Sequence, residues 1–203
     1  MSAVAAKVGG IPIRVDEVDA REAALRAGPV TATLPRAGTS EGRQLRRWLT
    51  QLLATERVVA AEATALSVTP EGAPTEGELL PDASARLDIG SVAAAALADP
   101  LARALFVRVT AAVEVSDDEV AEYHARNPLR FAARPRADGW RPARAAVPAL
   151  NEVRAVIADH LLAAARRRAF RVWLDARSAA LVELAPGYEH PGDPRQPDNT
   201  HRH

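Results

Sequence analysis

The sequence predicts a mainly helical, all-α protein, and three observations carry that expectation. Only 4% of its residues are aromatic against 48% hydrophobic overall, so the core has to be built mostly from Ala, Leu and Val, a mixture that favours helices. Apolar residues recur at three-and-four spacing through two long stretches, from residue 40 and from residue 149. Strand character is confined to short segments, AKVGGIPI near the start and LVELA at 181–185.

In chain order, AKVGGIPI alternates as a strand does but is interrupted by Gly9 and Gly10, and VDEVDAREAALRAG then reads as a helix stopped at Gly28-Pro29. Residues 29–39 form a loop. Ser40 is positioned to cap a long helix in which Leu45, Trp48, Leu49, Leu52, Val59, Ala63 and Leu66 lie on one stripe, with Glu56 on the same meridian. A carboxylate there is either a functional acid or an ion-paired packing residue, and the second is the commoner case. TPEGAPTEGELLPD at 69–82 is a Pro/Gly/acidic connector. ASARLDIG and SVAAAALA carry weaker helical patterns. Asp99-Pro100 starts a further helix, with Leu101, Leu105 and Val109 on its inner face and Phe106 beside them.

Ser116 and Glu119 have capping-box spacing, and Asp117 and Asp118 add negative charge where the helix dipole is positive, so a helix is expected from 117 to Arg126, stopped by Pro128. AARPRADGWRPARAAVP at 132–148 is a linker or irregular loop. The longest helix follows from Ala149. Its first stripe is Leu150, Val153, Ile157, Leu161 and Ala164, while Phe170, Trp173 and Leu174 lie on a rotated meridian, as in a helix that serves two neighbours. The ending PGYEHPGDPRQPDNTHRH is too polar and too rich in Pro to join the core.

Composition restricts function. The 26 basic and 26 acidic side chains cancel, and no window combines clustered Arg/Lys with aromatics, so nucleic acid is not an expected partner. There is no cysteine, hence no disulfide, thiolate metal site or cysteine nucleophile. The N-terminus lacks the charged and apolar regions of an export signal, and no stretch is apolar for the length of a membrane span, so a cytoplasmic location is expected. No nucleophile elbow, phosphate-binding loop, dinucleotide fingerprint, HExxH or EF-hand motif occurs, and no enzyme activity is expected.

Taken together, VGGIPIRVDEVDAR, WLTQLLATERVVAAEA, VSDDEVAEYHARNPLRF and PALNEVRAVIADHLLAAARRRAFRVWLDARSAALVEL resemble, in that order, the SurA/PrsA-like group of parvulin-linked chaperones and prolyl isomerases, with their trigger-factor/SurA peptide-binding domain. In that group a VNGxxIT start, a LIxxxLLxxEA helix and VTDEEVxxYY precede the isomerase, and LxEVRxxIxxxLxxxK…WLxxL follows it. Here Gly9 stands in place of the Asn, Arg14 in place of the capping Thr, and the stretch between Phe131 and Pro148 leaves no room for a parvulin domain. The resemblance implies that KVGGIPI pairs with LVELA and that the last helix docks on the N-terminal ones. Residues 1–185 would then make one SurA-like helical domain, 132–148 a connector in place of the isomerase, and 186–203 a flexible polar tail. His124 and His160 flank the gap outside any parvulin motif and read as ordinary helix histidines.

The first functional expectation is therefore a non-catalytic chaperone-like or assembly protein that holds an unfolded or partly assembled client, with Trp48, Phe106, Phe131 and Trp140 as candidate anchors. Core packing is the alternative for Trp48 and Phe106, which belong to helical stripes. The second is a metal-delivery or metalloenzyme-maturation factor, with His190, His201 and His203 of the tail as candidate ligands for nickel or zinc. A third is a dedicated subunit of one stable complex.

Overall fold

The computed structural model describes residues 3–29, 31–131 and 147–189. The candidate anchor Trp140 and the tail histidines His190, His201 and His203 lie outside the described residues, as do 132–146 of the connector. The elements run β1 (Val4–Val8), β2 (Ile11–Arg14), α1 (Val15–Ala27), a 3-10 turn (Thr31–Thr33), α2 (Ser40–Ala65), α3 (Glu76–Leu79), α4 (Ala83–Ile89), α5 (Ser91–Ala96), α6 (Pro100–Val109), α7 (Asp117–Arg126), α8 (Leu150–Leu181) and β3 (Val182–Leu184). The protein is mostly helical with one small antiparallel sheet. It divides into two units, one formed by residues 1–109 and 170–203, the other by residues 110–169.

In the first unit the segment read as one interrupted strand is a hairpin. Gly9 and Gly10 have φ of 55° and 81°, the two positive values that a tight two-residue turn between twisted strands requires. β1 is central, in the order β2-β1-β3. It pairs with β2 through Lys7↔Pro12 and Val8↔Ile11, and with β3 through Ala6↔Leu184, Lys7↔Glu183 and Val8↔Val182. Two further backbone bonds, Gly9 N–H to Leu181 O at 2.8 Å and Ala185 N–H to Ala5 O at 3.0 Å, extend that pairing. Segments close to the two ends of the chain therefore share one sheet.

α1 begins on Arg14, whose N–H donates to Glu17 Oε1 at 2.9 Å. Arginine has no acceptor with which to return the bond, so only half of a capping box is made. α2 is capped one residue earlier than Ser40: Thr39 Oγ1 accepts from the Gly42 N–H at 3.1 Å. Thr39 has the extended backbone a cap needs, φ −80° and ψ 169°, while Ser40 is already helical. On the α2 stripe Leu49, Leu52, Val59 and Ala63 are buried, joined by Ala54 and Val58, and Leu45 and Trp48 are partly buried against the same core.

The connector 69–82 is not wholly a loop. Thr75 and Glu78 form a capping box, with Glu78 N–H to Thr75 Oγ1 at 3.3 Å and Thr75 N–H to Glu78 Oε2 at 2.6 Å, and nucleate the single turn α3. Asp99 Oδ1 accepts from Leu101 N–H at 2.9 Å at the head of α6, as expected. From α6, Arg103 donates to Leu97 O at 2.9 Å and Ala98 O at 2.7 Å, satisfying carbonyls left open at the end of α5. The aromatic centre of the core is Phe106, Phe170 and Trp173, with ring centroids 5.0 and 5.7 Å apart in sequence.

In the second unit α7 starts on the expected box: Glu119 N–H to Ser116 Oγ at 3.2 Å and Ser116 N–H to Glu119 Oε2 at 2.8 Å. Val120 of α7 packs with Val153 and Ile157 of α8 in a separate small core. The rotated face of α8 has the expected consequence. Val153 and Ile157 belong to this cluster, and Phe170 and Leu174 to the core of the first unit.

Candidate functional site

Within the first unit, α2, the α4–α5 junction and the end of α8 border a cleft of about 200 Å³. Its walls follow from helical spacing. Gln51 and Thr55 sit three and seven residues after Trp48, and Asp175 and Ser178 sit four and seven after Arg171, so each helix turns a short polar stripe to one side. Between them Gly90, at φ 89°, breaks α4 from α5 in a conformation costly for any residue with a Cβ. The break places Ser91 on the cleft wall, where its Oγ accepts from Trp48 Nε1–H at 3.1 Å. Ile89 and Leu174, both buried, form the apolar part. Arg171 and Asp175 are the only ionisable groups of the lining and face each other at 3.9 Å. The remaining polar side chains are hydroxyls and one carboxamide, which donate and accept hydrogen bonds without changing charge across neutral pH.

Beside this cleft α1 is held on α2 by charge. Arg57 pairs with Glu17 and also donates to Pro12 O, and Arg21 pairs with Glu56. Arg46 pairs with Asp19 at 2.5 Å and with Glu22 at 2.8 Å. Burial works against the Glu22 charge, but hydrogen bonds from Arg26 and Arg46 outweigh it and hold the carboxyl below its ordinary pKa. Arg46 is likewise raised: burial opposes its charge, and Asp19, Glu22 and the Tyr188 side chain more than compensate. Arg47 Nε–H donates to Gly187 O at 3.1 Å, so the residues after β3 are tied to the same face of α2.

The candidate anchors fall in different places. Trp48 is half-buried and stands at the flank of the cleft. Phe106 is only 3% exposed and packs on Phe170; as a core ring it is not available to a client, and the packing alternative describes it. Phe131 is in the second unit, in ring contact with Tyr123 and His160 at centroid distances of 6.2 and 5.9 Å. His160 Nε2 lies 3.3 Å from Tyr123 Oη, and His124 Nε2 lies 3.0 Å from Pro148 O. Glu56 has the ion-paired role, with Arg21. Among the described residues no group of three or more His, Cys, Asp or Glu is placed to hold a metal ion, and no helix is long and apolar enough to cross a membrane.

Sequence reasoning missed Gln51, Thr55 and Ser178. Their signal was present: polar residues at helical spacing beside apolar stripes, one set on each long helix. A second groove of about 340 Å³ lies where the end of α2 and residues 67–74 meet α6, with Leu66 and Val107 exposed on it.

Comparison with known proteins adds one match. A family of unknown function (DUF7158) matches residues 4–41, the stretch that holds the hairpin, α1 and the first residues of α2. No curated protein and no solved structure matches the chain.

Proposed function

We propose that this chain is a non-catalytic, chaperone-like or assembly protein of the SurA/PrsA type, which holds an unfolded or partly assembled polypeptide. The observation that carries the reading is the pairing of β1 with β3. It is the closure expected of a body whose two ends pack together and whose middle tolerates loss of an inserted domain. Two details support it. Gly9 stands where the family motif has Asn, and its φ of 55° is in the left-handed region that Asn tolerates and Gly adopts freely, so this departure preserves the turn. α7, opened by its Ser116–Glu119 capping box, ends at Arg126 just before Pro128 and Phe131, and α8 opens soon after Pro148, an order of elements in keeping with the flanks of an inserted domain.

Client holding is driven by covering apolar surface, at ~25 cal/mol per Å² removed from water. Leu66 and Val107 on the second groove and the half-buried Trp48 offer such surface without unfolding the core. The test is light scattering of a chemically denatured model enzyme diluted into buffer with and without the full chain. Suppression of aggregation near equimolar ratio is expected, and no suppression at a large excess would overturn the reading. In parallel, one equivalent of Ni²⁺ or Zn²⁺ bound by the full chain but not by a chain ending at Gly187 would favour metal delivery instead.

A further inference from the structure

We infer that the cleft between α2, the α4–α5 junction and α8 is a binding site for one uncharged carboxamide side chain, asparagine or glutamine, presented by an extended polypeptide. This rests on the client-holding reading and names what the client offers.

Three threonines of α2 give the first argument. Thr50 and Thr64 donate to the carbonyls of Arg46 and Ala60, each at 2.9 Å, the usual resting place of a helical hydroxyl. Thr55 lies between them, only 7% exposed, and makes no hydrogen bond within the described residues. Its residue lines the cleft instead. The residue is buried, but its hydroxyl is not one of the fully buried unpaired polar atoms; it opens onto the cleft, where a ligand or a water can pair with it.

The other lining groups point the same way. Ser178, opposite on α8, also has no partner among the described residues. Ser91 accepts from Trp48 and keeps its own proton to donate. Gln51 has only a long contact, Nε2 to Tyr188 O at 3.5 Å. Such a set can both donate and accept, which is what a carboxamide demands with its C=O and NH₂ together.

Charge and size narrow the class. Arg171 and Asp175 carry opposite charges and pair loosely at 3.9 Å on the exposed edge of the cleft, so the lining has no net charge to favour an anionic or a cationic side chain. A volume of about 200 Å³ is below the ~300–1,000 Å³ of ordinary small-molecule pockets and suits a single side chain. Ile89 and Leu174 offer apolar contact to its methylenes.

The test is an NMR titration of the full chain with the N-acetyl, N-methylamide forms of glutamine, glutamate and leucine, of which only the glutamine probe carries a primary carboxamide. The glutamine probe is expected to move the backbone amides of Thr55, Ser91 and Ser178 at millimolar concentration and to bind at least tenfold better than the other two. Thr55→Val, which keeps the branched shape, and Ser178→Ala are each expected to weaken it severalfold. Equal binding of the three probes, or unchanged binding by both variants, would overturn the inference. Should Thr55→Val fail to fold, the half-buried Ser178→Ala decides. Aggregation suppression by the unmodified chain without glutamine-probe binding would leave the client-holding reading standing and remove the site. Probe binding without suppression would do the reverse.

Discussion

At Glu22 burial and ion pairing pull in opposite directions, and the pairing wins. The groups facing this carboxylate are Arg26 on its own helix and Arg46 on α2, the latter shared with Asp19. Because the folded pKa lies below the unfolded value, the Glu22 contribution is fully present above the ordinary carboxylate range and is lost as pH falls through the folded pKa. Urea midpoints measured from pH 6 to pH 3 are expected to decline, and Glu22→Gln is expected to be less stable at pH 6 but to decline less steeply. Equal slopes in the two proteins would show that Glu22 does not couple. A different residue-scale effect is expected at Phe170, 1% exposed and in ring contact with Phe106 and Trp173. Phe170→Ala should cost ~3–5 kcal/mol, read as a shift in the denaturation midpoint. Phe170 was legible as an inward residue from its helical meridian. The α1–α2 ion pairs were not, since spacing within one helix says nothing of which arginine on another lies opposite.

Among the elements, those set by local chemistry were the most legible. α7 begins on the Ser116 box, because a cap needs only a hydroxyl, a carboxylate three residues on and extended backbone at the first. Ser116→Ala should destabilise this helix by ~1 kcal/mol, seen as faster hydrogen exchange of the amides of 117–120, and unchanged exchange would refute the cap. The Thr75 box is the same device, but its Pro- and Gly-rich surroundings concealed it. Gly90 makes an element-scale prediction of its own. A Cβ there would meet nothing within 4 Å, so the penalty of Gly90→Ala comes from the positive φ alone, ~1 kcal/mol or more. It should also shift the resonance of the Trp48 indole N–H, since the α4–α5 break positions Ser91. A stable variant with an unshifted indole would contradict that coupling.

At the scale of the whole molecule the sheet is the decisive feature. A chain ending at Leu181 lacks β3 and the residues that bond to Arg47 and Gln51. It should lose exchange protection at the β1 amides that face β3 and unfold at lower denaturant. Retained protection would mean the hairpin is self-sufficient. The resemblance implied this pairing, whereas the residues alone showed only two short strand-like segments at opposite ends of the sequence.

By itself the sequence determined the helices other than α3, most of their limits and the two apolar faces of α8, because hydrogen bonds, caps and periodicity act within a few residues. Only the tertiary structure decided that β1 lies between β2 and β3, that α1 docks through arginine–carboxylate pairs, and that Thr55 and Ser178 border one cleft. Contacts between segments far apart in sequence carry a chain-closure cost that no local pattern records. They form only because a shared core repays that cost, and the identity of the facing residues is fixed by how the helices pack into it.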